Sequence, residues 1–294
     1  MNKKRYTVLT FNFGGGYEIL REIRHKSPNA EYIYVTDDRS ITSQTWDIRY
    51  IDNPHPEDVF FACWQVRYNP FVFASTDVVI RIDGSFQVVD KLDEIIDYFN
   101  AGDYDLCLET HPERYTICEE YEAWCNIRGY SRVQAEKVMS YMTDKGYDIA
   151  HYRGLYQTGL MIQRRNSVNL ELNTATLDLI QQFAPEGKQV DRLDQTIASY
   201  IINSQFSERL KVMVVDERIF HSKYFRLFIH GTWEEVNFYG NYIRPYLFNK
   251  PVKASRLQYH AKAKYNKYWL PIPIVPALHS MEKVKKYFWR NKWF

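Results

Sequence analysis

The chain of 294 residues has little cysteine: Cys63, Cys107, Cys118 and Cys125, with no CxxC pair among them. No His and Cys residues share the spacing of a zinc site, so neither a disulfide scaffold nor a zinc knot is expected, and the setting reads as reduced and cytoplasmic. No run approaches the roughly 18 apolar residues of a membrane span. The N-terminal stretch MNKKRYTVLTFNFGGGY is basic, but its apolar part is short and broken by Asn12 and three glycines. It reads as a first strand rather than a signal peptide. Repeats and low-complexity linkers are missing as well. The glycines are not followed by GK[ST], and Ile19 occupies the sixth position from Gly14, so the P-loop and the GxGxxG fingerprint both fail.

What is abundant is aromatic. Aromatic residues make up 16% of the chain and include 24 Tyr, while apolar residues reach 45% and charged residues 25%. That balance supports an ordinary globular core. Tyrosine brings apolar area with a hydroxyl, which suits ring-shaped polar ligands such as sugars and bases, although a Tyr-rich core would have the same composition. Net charge is +2, unevenly spread: residues 250–294 hold 11 Lys and Arg against one Glu, a charge of +10, which leaves −8 for the rest. An acidic body with a basic tail gives the tail its own partner. We therefore divide the chain into a body, 1–249, and an extension, 250–294.

Along the body, strand-like runs alternate with helical spacing. Strands are expected at Tyr6–Phe13, Glu31–Thr36, Trp46–Ile51, Thr76–Ile82, Asp105–Glu109, Tyr156–Gln163 and Lys211–Val215. Helices are expected at Tyr17–Arg24, Val59–Tyr68, Lys91–Asn100, Leu170–Phe183 and Leu193–Ser204, and over most of Cys118–Lys145. This alternation predicts an α/β domain with crossovers and a mostly parallel central sheet flanked by helices.

Several strand ends carry chemistry. In TFNFGGGY the glycines let the backbone approach a ligand closely, which makes Thr10, Asn12 and Tyr17 donor-side candidates, though a plain tight turn explains the pattern as well. YVTDD places Asp37 where a carboxylate holds ribose hydroxyls or a base edge, or where a turn is simply solvated. VIRIDGSFQV runs a strand into Asp83, Gly84 and Ser85; such an Asp is a turn former or a ligand for a cation that bridges a diphosphate. Ser85 stands where a second acid would complete Asp-x-Asp. LYQTGLMIQRRN interrupts a strand at Gly159 and ends it on Arg164 and Arg165, which suit a phosphate or an exposed strand end. Asp194 and Gln195 open an amphipathic helix, as a cap or as a pair that holds sugar hydroxyls. His111, His151, His221, His230 and His260 are scattered, and His221 follows the last expected strand of the body, where it could return to a metal site.

Taken in order, these motifs resemble a GT-A glycosyltransferase over roughly residues 5 to 225. The segment CLETHPERYTICEEYEAWCNIRGY, with TGLMIQRRN and DRLDQ, is similar to a family long filed as a domain of unknown function. Plant members of that family are linked to pectin and mucilage polysaccharides, and its bacterial members are mostly uncharacterised. The resemblance implies a nucleotide-sugar, a UDP-sugar favoured, lying across the strand ends. It implies donor contacts from Arg67, Asp83, Gly84, Ser85, Gly159 and Arg165, with Arg67 near phosphate. It further implies acceptor contacts from His111, Arg114 and Glu120, catalytic roles for Asp194 and Gln195, and a divalent metal, Mn²⁺ or Mg²⁺, on Asp83 and His221. Ser85 departs from the usual acid pair. The implied activity is sugar transfer to a saccharide or lipid-linked acceptor in surface polysaccharide synthesis.

The tail HSMEKVKKYFWRNKWF sets Trp and Phe among Lys and Arg, which suits an anionic membrane surface and a peripheral site on the inner face of the cell membrane. A helix docked on its own domain and a disordered basic end are the plainer readings. Two rivals remain: a non-catalytic nucleotide or nucleic-acid binder, which the acidic body disfavours, and a sugar-phosphate nucleotidyltransferase. FGGGYEILREIR has no basic residue before Arg21, which weighs against the second. No nucleic-acid partner is expected.

Overall fold

A computed structural model describes residues 5–15, 18–53, 55–56, 58–111, 114–123, 125, 132–183, 194–215, 223–228, 230–233 and 235–236. Tyr17, His221 and the extension from 250 onward lie outside these residues, as do the expectations placed on them. Seven strands form the central sheet: β1 (Tyr6–Asn12), β2 (Ala30–Thr36), β3 (Asp47–Tyr50), β4 (Val78–Ile82), β6 (Leu106–Thr110), β7 (Tyr156–Arg164) and β8 (Val212–Val215). Their order is β3-β2-β1-β4-β7-β6-β8, with every pairing parallel except the two made by β7. The mixed, mostly parallel sheet flanked by helices agrees with the sequence.

Alternation along each strand sorts the core into two faces. On one face, Tyr6 and Val8 of β1, Ile80 and Ile82 of β4 and Ile162 of β7 pack on Ile95, Ile96 and Phe99 of α3 (Asp93–Ala101). Burying such side chains contributes about 1.5–3 kcal/mol each. On the other face, Leu9, Phe11 and Val79 meet α1 (Val59–Arg67) and α2 (Pro70–Phe73). Further along that face, Leu106, Leu108 and Met161 meet α5 (Arg132–Asp144), α6 (Ser167–Phe183) and α7 (Asp194–Ile201). Within the stretch expected to be mostly helix, α4 (Ile117–Ala123) precedes α5.

A second, three-stranded sheet runs β10-β9-β5, from β5 (Phe86–Val88), β9 (Phe225–Phe228) and β10 (Glu235–Val236). It brings the late segment 225–236 back beside the end of β4. Neither β9 nor β10 was among the expected strands.

The helix expected at Tyr17–Arg24 is not formed over residues 18–29. Its carbonyls are taken by side chains instead. Trp46 Nε1 donates to Arg21 O at 2.9 Å, and Gln87 Nε2 donates to Glu22 O at 2.8 Å. Glu18 and Arg21, which an amphipathic helix would have shown to solvent, are both buried.

Candidate active site

The carboxyl ends of β1 and β4 diverge. Their register covers only Thr7–Leu9 against Val79–Arg81, after which β1 continues to Asn12 and β4 ends at Ile82. A crevice at the carboxyl ends of parallel strands is where α/β sheets bind ligands. Here it is a cavity of about 290 Å³. One wall is apolar, from Phe11, Phe13 and the α1 residues Val59, Phe60 and Trp64. The opposite side is polar, from Arg67, Asp83, Ser85, Glu120, Asp194 and Gln195.

Arg67 reaches the cavity because of how α1 begins and ends. Asp58 caps the helix, its Oδ1 accepting from Phe60 N at 3.1 Å and Phe61 N at 3.0 Å. Asn69-Pro70 then prevents the helix from continuing, so Arg67 is its last residue. Asp83 lies on the same side of β4 as Val79 and Arg81, the side that faces α1. The guanidinium of Arg67 forms an ion pair with Asp83 through Nη2 and with Asp194 through Nη1, and Nη1 also donates to Thr158 Oγ1 at 3.3 Å. Thr158 in turn donates to Asp194 Oδ2 at 3.1 Å. Burial works against the Arg67 charge, yet the carboxylates of Asp83 and Asp194 outweigh it and hold the group above the usual arginine range. Behind this cluster Arg81 is fully buried and donates to Thr158 O at 3.2 Å. Burial, with the nearby Arg67 charge, pulls it down to about 10.

Gly159 lets β7 pass close to the Phe86 ring, beside Asp83. Its carbonyl accepts from Asp83 N at 2.8 Å, and a Cβ added there would stand 3.2 Å from Phe86 and 3.5 Å from Asp83 Oδ2. Gly14 has φ +78° and donates to both Asp37 oxygens, at 3.0 and 3.1 Å. Asp37 therefore fastens the glycine turn and does not line the cavity. Thr10 is buried in β1 and does not line it either, whereas Asn12 and Gly84 do.

Gln195 Nε2 donates to Glu120 Oε1 at 3.2 Å, and the other Glu120 oxygen forms an ion pair with Arg114 Nε. Arg114 donates its backbone N–H to His111 Nδ1 at 3.0 Å. Of the three residues assigned to the acceptor, only Glu120 lines the cavity; His111 and Arg114 form a buried layer behind it. Arg165 lies elsewhere: Nη2 donates to the carbonyls of Phe71 (3.3 Å), Ala74 (2.9 Å) and Thr76 (3.3 Å). Among the residues given a donor role, it joins Thr10 and Asp37 outside the cavity lining.

The structure adds residues that the sequence reading had not assigned. Glu18 and His230 line the cavity, the Glu18 carboxylate meeting His230 Nδ1 and accepting from Gly231 N at 3.4 Å. Arg21 ties this corner together, donating to Gly84 O at 2.9 Å and also to Thr232 O, with Phe228 stacked 4.3 Å from its guanidinium. The available signal was LFIHG, an apolar run ending in His and Gly much as VIRI ends in Asp83 and Gly84.

Among the described residues no three His, Cys, Asp or Glu side chains stand together as a metal-ligand group. Asp83, the acid expected to hold a cation, instead has its Oδ1 on Arg67. With fewer than three such donors together, the described residues do not by themselves complete a site for a divalent cation. Also among these residues, no helix is long and apolar enough to cross a membrane.

No family model matches the chain, and no curated protein matches it. Among solved structures the chain is similar to mouse xyloside xylosyltransferase 1 in its apo form, at 9% identity and a TM-score of 0.40, over 73% of this chain and 86% of that one. A likeness this distant carries no argument about chemistry, which rests on the site itself.

Proposed function

We propose that the chain is a glycosyltransferase that moves a sugar from a nucleotide-sugar, a UDP-sugar favoured, to a saccharide or lipid-linked acceptor. The observation that carries this reading is Arg67, buried between Asp83 and Asp194 in a cavity at the carboxyl ends of β1 and β4. In the reaction the bond from the anomeric carbon to the diphosphate oxygen breaks, and the electron pair leaves with the diphosphate. The acceptor hydroxyl oxygen bonds the same carbon and loses its proton. Arg67 stabilises the charge that develops on the leaving group, in a water-poor setting where such contacts are strong. Asp194, fixed by Thr158 at the start of α7, takes the acceptor proton if the displacement inverts. If the configuration is retained, Asp194 and Gln195 orient the donor sugar, and Glu120 holds an acceptor hydroxyl. Asp83 is the residue that would carry Mn²⁺ or Mg²⁺; such a cation would neutralise diphosphate charge. Because the described donors do not complete a metal site, no step depends on it.

The setting we propose is cytoplasmic, with the basic aromatic extension 250–294 resting on an anionic membrane and holding the site near a lipid-linked acceptor. This part rests on the sequence.

The test is thermal stability against UDP, GDP, CDP and their common sugars, with Mn²⁺, with Mg²⁺ and with chelator. A ligand at a hundred times its dissociation constant stabilises by about 2.7 kcal/mol, a readable melting shift. We expect one diphosphate class to shift the wild type; a shift that needs Mn²⁺ or Mg²⁺ is lost in Asp83→Ala, and one that survives chelator belongs to Arg67. Absence of a shift with every nucleotide would overturn the proposal. Release of pyrophosphate from a nucleoside triphosphate and a sugar phosphate would replace it with a nucleotidyltransferase.

A further inference from the structure

We infer that Arg67 is an internal counter-ion which an entering diphosphate takes over from Asp194, so that ligand entry and release of the Asp194 carboxylate are one event. The inference rests on the nucleotide-sugar reading of the cavity and adds to it which carboxylate the ligand displaces.

Among the described residues that line the cavity, Arg67 is the single Lys or Arg, whereas Glu18, Asp83, Glu120 and Asp194 all carry carboxylates. An anionic ligand entering such a surface is repelled unless a cation is turned toward it. Glu120 already has Arg114, and Glu18 has His230, with Arg21 3.9 Å away. Arg67 is the cation within reach, but both of its Nη atoms are engaged by carboxylates. A diphosphate must therefore compete for it.

Geometry makes the Asp194 side the one that gives way. Asp194 keeps three sources of stabilisation when Arg67 leaves. The Thr158 hydroxyl donates to Oδ2. The residue opens α7, where the helix dipole favours negative charge. The buried Arg81 charge lies behind the cluster, hydrogen-bonded to the Thr158 carbonyl. Arg67 also has a reason to move: its Nε is buried with no hydrogen-bond partner, an under-used donor on a group that carries five. Phosphate oxygens would satisfy it and would pair with the guanidinium fork. What remains is an Asp194 carboxylate free of its arginine, beside the position that an acceptor hydroxyl must reach.

The experiment measures binding of nucleoside diphosphates without sugar, and separately of inorganic pyrophosphate, in chelator, to the full chain. The variants are Asp194→Asn and the double variant Arg67→Gln, Asp194→Asn, which keeps the buried charge balanced where Arg67→Gln alone can fail to fold. We expect Asp194→Asn to bind the preferred diphosphate at least tenfold tighter than wild type, and the double variant to lose that gain. Equal affinity in wild type and Asp194→Asn, or a gain that survives in the double variant, would overturn the inference. The underlying reading fails separately. If no nucleotide binds but Asp194→Asn still tightens pyrophosphate, the counter-ion exchange stands and the nucleotide-sugar assignment falls. If neither protein binds either probe, both fall.

Discussion

Arg67 and Arg165 were both expected to meet phosphate, and the fold uses them in opposite ways. Arg67 is buried and answered by carboxylates. Arg165 is partly exposed and answered by three backbone carbonyls of the segment from α2 to β4, with the exposed Asp77 carboxylate 3.7 Å from its Nε. A carboxylate partner can be exchanged for a phosphate, because both are anions of similar geometry. A set of carbonyls cannot be exchanged without unfastening the chain that carries them. The comparison separates an arginine available to a ligand from one committed to the fold.

Loss of Arg67 should have the larger consequence. Arg67→Gln leaves two carboxylates without their cation and should cost about 3–5 kcal/mol of stability, as breaking a buried ion pair does. Any protein that still folds should show no melting shift with nucleoside diphosphates. A preserved shift would place the diphosphate elsewhere. Arg165→Gln should cost less, about 2 kcal/mol for lost charge-assisted hydrogen bonds that water partly replaces, and should keep the ligand shift whole. Loss of that shift with an unchanged melting point would reverse the roles of the two arginines.

A smaller effect sharpens the comparison at the glycine beside it. Gly159→Ala puts a methyl 3.2 Å from the Phe86 ring, which must give by a few tenths of an ångström, and 3.5 Å from Asp83 Oδ2, an ordinary contact. We expect destabilisation of about 1 kcal/mol together with weaker diphosphate binding, because the added methyl and the displaced Phe86 ring both line the cavity. Equal binding in Gly159→Ala and wild type would show that the diphosphate does not reach the wall made by Gly159 and Phe86.

The smallest effect appears only at alkaline pH, where a third arginine, Arg81, pulls against the buried phenols. Burial raises Tyr6, Tyr34, Tyr68 and Tyr147 above the ordinary tyrosine range. Their folded pKa exceeds the unfolded value, so their contribution is complete below about pH 10 and is lost as pH rises above it. Arg81 works in the opposite sense. Its folded pKa is lowered to about 10, so the unfolded chain holds that proton longer and stability gains from it above that pH. Four phenols outweigh one guanidinium. The denaturant midpoint should fall above about pH 10, in step with phenolate absorbance. A flat midpoint would mean that these hydroxyls are not buried as the fold has them.

Much of the framework was legible from local rules. The strand that ends in Asp83, the helix stopped before Pro70 and the helix opened by Asp194 follow from strand patterning, proline sterics and capping. Those three rules put Arg67, Asp83 and Asp194 at element ends, where side chains are free to converge. The glycine of β7 was legible too, since a strand interior tolerates glycine mainly where something passes close. The roles of Arg165 and Asp37 were not, because a basic strand end and an acidic turn look the same whether the partner is a ligand or the chain's own backbone.

What the sequence determined by itself was the α/β class and the identity of the residues at the strand ends, since hydrophobic period and turn chemistry act over a few positions. Which of those residues meet depends on long-range packing. Glu18 and Arg21 sit in a stretch that spells an amphipathic helix, yet Trp46 and Gln87 take carbonyls of that stretch and the helix does not form. His230 reaches the cavity because β9 pairs with β5, a contact between segments more than a hundred residues apart. Arg67 lies between two acids because α1 packs on the face of β4 that carries Asp83. Each of these outcomes depends on long-range burial and on the requirement that buried polar groups find partners, and neither leaves a trace in a local window of sequence.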